Sequence, residues 1–194
     1  LRLPNEAWES GSSLAASRVR RPSCGQEITR MDEGKFSDMR KRFGMLFQSG
    51  ALFNSMTVGE NVSLPILEHT KLAEEVVNIM VKIKLELVGL TGFEHLMPSE
   101  ISGGMKKRVG LARAIAMDPE LLFCDEPSAG LDPVMTAVVD TLMVDLSKKL
   151  GMTLVVVTHD MASAFRIATK MVMLFQGKLV ASGTPEYIKT MDNP

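Results

Sequence analysis

Between Ile101 and Asp132 the chain reads ISGGMKKRVGLARAIAMDPELLFCDEPSAGLD, a helical pattern followed by an apolar run that ends in carboxylates. Ser102 suits an N-cap, and Val109, Ala112, Ile115 and Ala116 recur near helical spacing behind it. Gly103 and Gly104 let another molecule approach the free N–H groups of the first turn, where the helix dipole favours an anion. Leu121-Leu122-Phe123-Cys124 is too short for a helix and is bounded by charges and proline, as a buried parallel strand should be. Asp125 and Glu126 then fall at its C-terminal end, where α/β sheets place their ligands. Such a pair suits phosphoryl transfer to water, one carboxylate holding Mg²⁺ and the other orienting or deprotonating the attacking water.

The flanking chain extends this alternation. Phe43 to Phe47 forms a short apolar strand ending at Gln48, after a polar, helical lead-in over residues 28–42. A helical pattern runs from Lys71 to Val88 through Leu72, Val76, Met80, Ile83 and Leu87, and Gly89 stops it. Asp132-Pro133 starts a second helix over Val134, Val138, Leu142, Leu146 and Leu150, closed by Gly151. Thr153 to Val157 is another buried strand, ending in Thr158-His159-Asp160, and Asp160 caps a helix to Ala168. Met171–Phe175 and Lys178–Ala181 pair around the turn Gln176-Gly177, and Thr184-Pro185 opens a last helix.

In order and spacing these segments resemble the ATP-binding subunits of ABC transporters. Ile101-Ser102-Gly103-Gly104-Met105 resembles the family signature, Leu121 to Glu126 the Walker B strand with the catalytic glutamate, and Ser128-Ala129-Gly130-Leu131-Asp132 the D-loop. Gln48 matches the Q-loop and His159 the H-switch. LFQSGALF over residues 46–53, with Asn61-Val62 and Leu64 to Thr70, resembles the Mla-type phospholipid-transport ATPases in particular. The resemblance implies an α/β, P-loop NTPase-like ABC ATPase core at residues 25–194, incomplete at its N-terminus, with an inserted α-helical subdomain at about 54–115.

It further implies two subunits sandwiching ATP and Mg²⁺. Asp125 would hold the metal, Gln48 would position metal and water, Glu126 would act as general base, and His159 would sense the γ-phosphate. Ser102, Gly103, Gly104 and Met105 would meet the partner's nucleotide, and Asp132 would work across the interface. The partners implied are a homodimer mate or a complete ATPase subunit, and a membrane permease touching the Ala51–Met56 neighbourhood. The place implied is the cytoplasmic face of the cell membrane, held there peripherally.

One element of the family pattern is missing. G-x-x-x-x-G-K-[ST] occurs nowhere in the 194 residues. Gly34-Lys35-Phe36 and Gly177-Lys178-Leu179 lack the upstream glycine and the following hydroxyl residue, and Ser10-Gly11-Ser12-Ser13-Leu14 lacks the lysine. Residues 1–24 carry no regular period and read as irregular chain. Backbone N–H groups and the lysine of that loop supply most of the grip on the β- and γ-phosphates. Two readings therefore stand: an ATP-hydrolysing transport subunit, or a truncated or degenerate subunit that binds a partner without hydrolysis.

Composition narrows the alternatives. A net charge of −1 argues against nucleic acid as a partner. With Cys124 in a buried strand, the two cysteines read as thiols of a reducing compartment. The basic runs Arg40-Lys41-Arg42 and Lys106-Lys107-Arg108 read as solvated or phosphate-facing edges. His69 and His95 lack partners at metal-ligand spacing, and the 15 methionines read as packing residues.

Overall fold

Alternating strands and helices build the core of this computed structural model, which describes residues 13–17 (main chain only), 34 and 39–191. Its strands are β1 (Ser13–Ser17), β2 (Phe43–Leu46), β3 (Leu121–Asp125), β4 (Thr153–Thr158), β5 (Lys170–Phe175) and β6 (Lys178–Gly183). Its helices are α1 (Val58–His69), α2 (Glu74–Leu87), α3 (Gly103–Ala114), α4 (Pro133–Leu150), α5 (Met161–Ile167) and α6 (Pro185–Thr190), with a 3₁₀ turn at Pro98–Glu100. The strands form one sheet in the order β2-β3-β4-β1-β5-β6. β2, β3 and β4 pair in parallel, Phe43 opposite Leu121 and Asp125 opposite Val157. This register brings the C-terminal ends of three strands to one edge, as their uninterrupted apolar runs require.

β1 is antiparallel to both neighbours, Ala15 lying opposite Val156 on one side and Met171 on the other. Ser-Leu-Ala-Ala-Ser has no strand pattern, so the irregular chain read over residues 1–24 is interrupted here by a strand that tertiary pairing imposes. β4 and β5 would otherwise each expose a row of main-chain donors and acceptors, and β1 satisfies both. The lead-in at 28–42 lies mostly outside the described residues. At its end, Arg42 forks onto Glu120 through Nε and Nη2 at 3.0 and 2.7 Å, fastening the start of β2 to the start of β3.

The local signals for α4 and the β5–β6 turn act as the sequence indicated. Asp132 accepts from the amides of Val134 and Met135, and Gly151 ends α4 at φ +65°. Gln176 and Gly177 both take positive φ, the conformation of a two-residue hairpin turn whose twist suits the strands.

Two helices bury a face shifted from the one their spacing indicates: Leu146 is buried and Met80, Leu87, Leu142 and Leu150 pack against the core as expected, but other expected residues do not. In α4 the buried side is Thr136, Val139, Asp140, Met143, Leu146 and Ser147, while Val134 is 72% exposed and Val138 45%. In α2 the buried side is Val77, Val81, Lys84 and Leu85, leaving Val76, Ile79 and Ile83 exposed, and Leu72, expected in the helix, lies exposed before its start. Each helix carries apolar residues beyond its buried side, and that side includes polar groups that find partners. Ser147 Oγ donates to Val144 O at 2.8 Å, and Lys84 Nζ meets Asp118 at 2.5 Å.

α1 is absent from the spacing-based reading because Pro65 interrupts it. The helix nonetheless runs through, anchored by a capping box in which Glu60 N–H donates to Thr57 and Thr57 N–H donates to Glu60. Fully buried Asn61 accepts from Phe53 N–H and donates to the carbonyls of Phe53, Met56 and Thr57, which fixes the loop ahead of α1.

Candidate active site

The ends of β2, β3 and β4 gather Gln48, Asp125, Glu126, Thr158 and His159. Asp125 is the last residue of β3, with its side chain exposed at the sheet edge. Glu126 follows at φ +44°, a conformation that costs a side-chain-bearing residue on the order of 1 kcal/mol. Several bonds hold it there. Its amide donates to Val157 O at 2.9 Å, and its carbonyl accepts from Ala129 N–H at 3.1 Å. The resulting bend takes the carboxylate off the line of β3 and toward β4.

There the carboxylate meets three groups. Thr158 Oγ1 donates to Oε2 at 3.1 Å, His159 N–H donates to Oε1 at 2.8 Å, and the His159 ring Nδ1 lies 2.7 Å from the same oxygen. Thr158 Oγ1 in turn accepts from Asp160 N–H at 3.0 Å. Glu126 is thus oriented from one side while remaining 13% exposed, and the ring of His159 is 69% exposed. A carboxylate held so, beside an open imidazole, can accept a proton from a water at the strand ends.

Gln48 sits just beyond β2, exposed, with its carbonyl accepting from the ammonium of Lys107 on α3. Lys107 Nζ also lies 3.5 Å from Glu126 O. The side chain is buried, so Lys107 does not stand on the solvated edge that the basic run 106–108 suggests. Burial lowers its pKa, and the charge of Glu126 opposes the drop. Only the tertiary packing reveals this residue. The sequence signal is a basic side chain one and a half turns into a helix whose other flank is apolar.

Ser102 caps α3, and Gly103, Gly104 and Met105 form its first turn. Ser102 Oγ accepts from Met105 N–H at 3.3 Å, leaving Ser102 and Gly103 exposed. A Cβ at Gly103 would meet nothing within 4 Å, whereas one at Gly104 would lie 3.0 Å from Met135 Cε. The start of α3 therefore packs against the start of α4, where exposed Asp132 uses its carboxylate as the cap. Among the described residues no hydrogen bond or ion pair joins the opening of α3 to Glu126 or His159.

Asp125 and Gln48 fit a Mg²⁺ ion that takes one or two protein ligands and completes its shell with phosphate and water. Among the described residues no set of three His, Cys, Asp or Glu could hold a metal unaided. His69 and His95 are exposed and belong to no such set. Cys124 is a buried free thiol, and burial raises its pKa well above the ordinary value.

Residues 15–129 match the family described as ABC transporter. The Intermembrane phospholipid transport system ATP-binding protein MlaF of Haemophilus influenzae is 46% identical over 164 residues, which are 84% of this chain and 62% of that protein. The Probable ribonucleotide transport ATP-binding protein mkl of Mycobacterium leprae is 44% identical over 170 residues, 88% of this chain and 49% of that one. The chain thus spans about half to three fifths of the length of these curated relatives. A dimeric post-hydrolysis ATP-binding cassette, MJ0796, bound to ADP and Pi, superposes with a TM-score of 0.72 at 27% identity, covering 82% of this chain and 70% of that one.

Proposed function

The chain belongs to the ABC transporter family, with an α/β ABC ATPase fold of the Mla type, and from that premise we propose that it is the ATP-binding subunit that powers phospholipid transport across a cell envelope. The observation that carries the reading is the convergence of Asp125, Glu126 and His159 at the ends of two adjacent parallel strands, with Gln48 at the end of the third. Glu126 accepts the proton of the attacking water, its carboxylate aimed by Thr158 and His159. His159 offers its exposed ring to the γ-phosphate. Asp125 and Gln48 would hold Mg²⁺, which would supply positive charge against the phosphates. Ser102, Gly103, Gly104 and Met105 serve a partner's nucleotide, the two glycines with first-turn N–H groups and Ser102 with its hydroxyl, and Asp132 borders the same interface.

The permease reading has support of its own. Met45, Phe47 and Phe53 are each about half exposed, at 49%, 45% and 50%. They line a groove of about 580 Å³ beside Pro65 and Arg113. An apolar, partly basic groove next to Gln48 suits a short amphipathic segment of a membrane subunit. Among the described residues no helix is long and apolar enough to cross a membrane.

Replacing Glu126 with Gln keeps the shape of the site and removes the base. Mg-ATP hydrolysis should fall at least about 10²-fold while nucleotide binding persists. Unchanged turnover in Glu126→Gln would take Glu126 out of the role. A second reading draws on β1, whose antiparallel course between β4 and β5 carries no phosphate-loop pattern. In that reading the chain lends Ser102–Gly104 to a complete subunit. It predicts turnover only in the mixture, lost on Ser102→Arg.

A further inference from the structure

Lys107 lies five residues beyond Ser102 on α3, about one and a half turns into the helix. Its side chain is only 6% exposed, and its ammonium reaches two main-chain carbonyls on different strands, Gln48 after β2 and Glu126 after β3. The next turns of α3 grip the same loop. A Cβ on Gly110 would lie 3.1 Å from both Cα and O of Gly50, and one on Gly50 would lie 3.1 Å from Lys106 O. Arg113 donates to Gly50 O and Ala51 O, both at 2.8 Å. Three carbonyls of the 48–51 loop are therefore taken by cations of one helix. Lys107 alone of these donors extends to the main chain of the proposed general base.

We propose that Lys107 is a positioning residue that ties the Ser102–Gly104 end of α3 to the main chain of Gln48 and Glu126. Lys107 thereby links the half-site offered to a partner to the half-site kept by this chain. The functional consequence rests on the nucleotide reading above, whereas the tie itself rests on geometry alone. An ammonium suits the task because it donates in several directions from one flexible stem. A neutral side chain of the same length fills the space without joining the strands.

The test compares wild type, Lys107→Met and Lys107→Arg in the full 194-residue chain. In Lys107→Met, amide hydrogen exchange should rise about tenfold in peptides carrying Gly50 and Glu126 and stay unchanged elsewhere. Both amides are hydrogen-bonded, to Phe47 O at 2.8 Å and Val157 O at 2.9 Å, so a local loosening is readable. Lys107→Arg, which keeps a donor, should recover most of the protection. In Mg-ATP turnover, kcat should fall about tenfold or more with KM within about twofold, because misplacement affects groups used in the transition state. Wild-type exchange at both amides, or a uniform rise along the chain, overturns the tie. A rise in KM without a fall in kcat overturns the positioning role. A wild-type chain without turnover speaks against the nucleotide reading and leaves the exchange result to decide the tie.

Discussion

Asp140 and Glu126 each gather a hydroxyl and a basic side chain, the first between α4 and α5, the second at the ends of β3 and β4. Asp140 accepts from Ser163 Oγ at 2.7 Å and from Arg166 at 2.6 Å, and it is fully buried. Glu126 accepts from Thr158 Oγ1 and faces the ring of His159, within reach of solvent. The chemical types are nearly the same. Asp140 has both partners drawn from α5 and no route to a ligand, so it joins two helices. Glu126 lies on a positive-φ bend at a sheet edge and opens on one side, so its carboxylate has a free lobe to offer. Access and backbone placement, rather than the identity of the acid, separate a structural tie from a site.

The contrast can be broken by exchanging the expected losses. Asp140→Ala strands Arg166 and the Ser163 hydroxyl between packed helices. It should cost about 2–4 kcal/mol in urea unfolding, toward the lower end because Arg166 is partly exposed. A loss below about 1 kcal/mol would show that the sealed cluster is no tie. Thr158→Val removes a donor to Glu126 and leaves Asp160 N–H without its acceptor. That should cost about 1–2 kcal/mol and also reduce turnover, marking a residue that serves both stability and site. Glu126→Gln, by contrast, should change unfolding free energy by less than about 1 kcal/mol, since the amide oxygen still accepts.

The smallest effect is a slope with pH. Burial raises the Asp140 carboxyl above its usual value, outweighing the lowering from Ser163 and Arg166. The folded state then binds this proton more readily than the unfolded chain. Its contribution is greatest below the ordinary Asp value of about 3.9 and declines as pH rises through the raised folded value. Thermal melts of wild type against Asp140→Asn should shift in favour of the variant over that rise. A difference independent of pH would mean that the carboxyl titrates alike in both states.

Legibility in the sequence followed the locality of each signal. Asp132-Pro133 with Gly151, Asp160 and Gln176-Gly177 are read correctly because caps and turns depend on a few neighbouring residues. The helix start at Ser102, the β3 run and the strand end before His159 are legible for the same reason. The buried faces of α2 and α4 are legible only in part, because each helix carries apolar residues beyond its buried side and only packing chooses among them. In α4 the chosen stripe contains Asp140, which a hydrophobic pattern discounts and which is viable only with Ser163 and Arg166 on another helix. Lys107 escaped in the same way, a charge whose partners lie 59 and 19 residues away. α1 could have been found from Thr57 and Glu60, whose capping spacing outweighs the interruption at Pro65.

The direct test of the composite nucleotide site is to titrate Mg-ATP into the purified chain while light scattering follows its mass. Because the proposed site takes Ser102–Gly104 from a second copy of the chain, the account predicts that nucleotide binding is accompanied by pairing, the mass doubling as sites fill. Binding of nucleotide by a chain that stays single, or no binding at millimolar Mg-ATP, would contradict it.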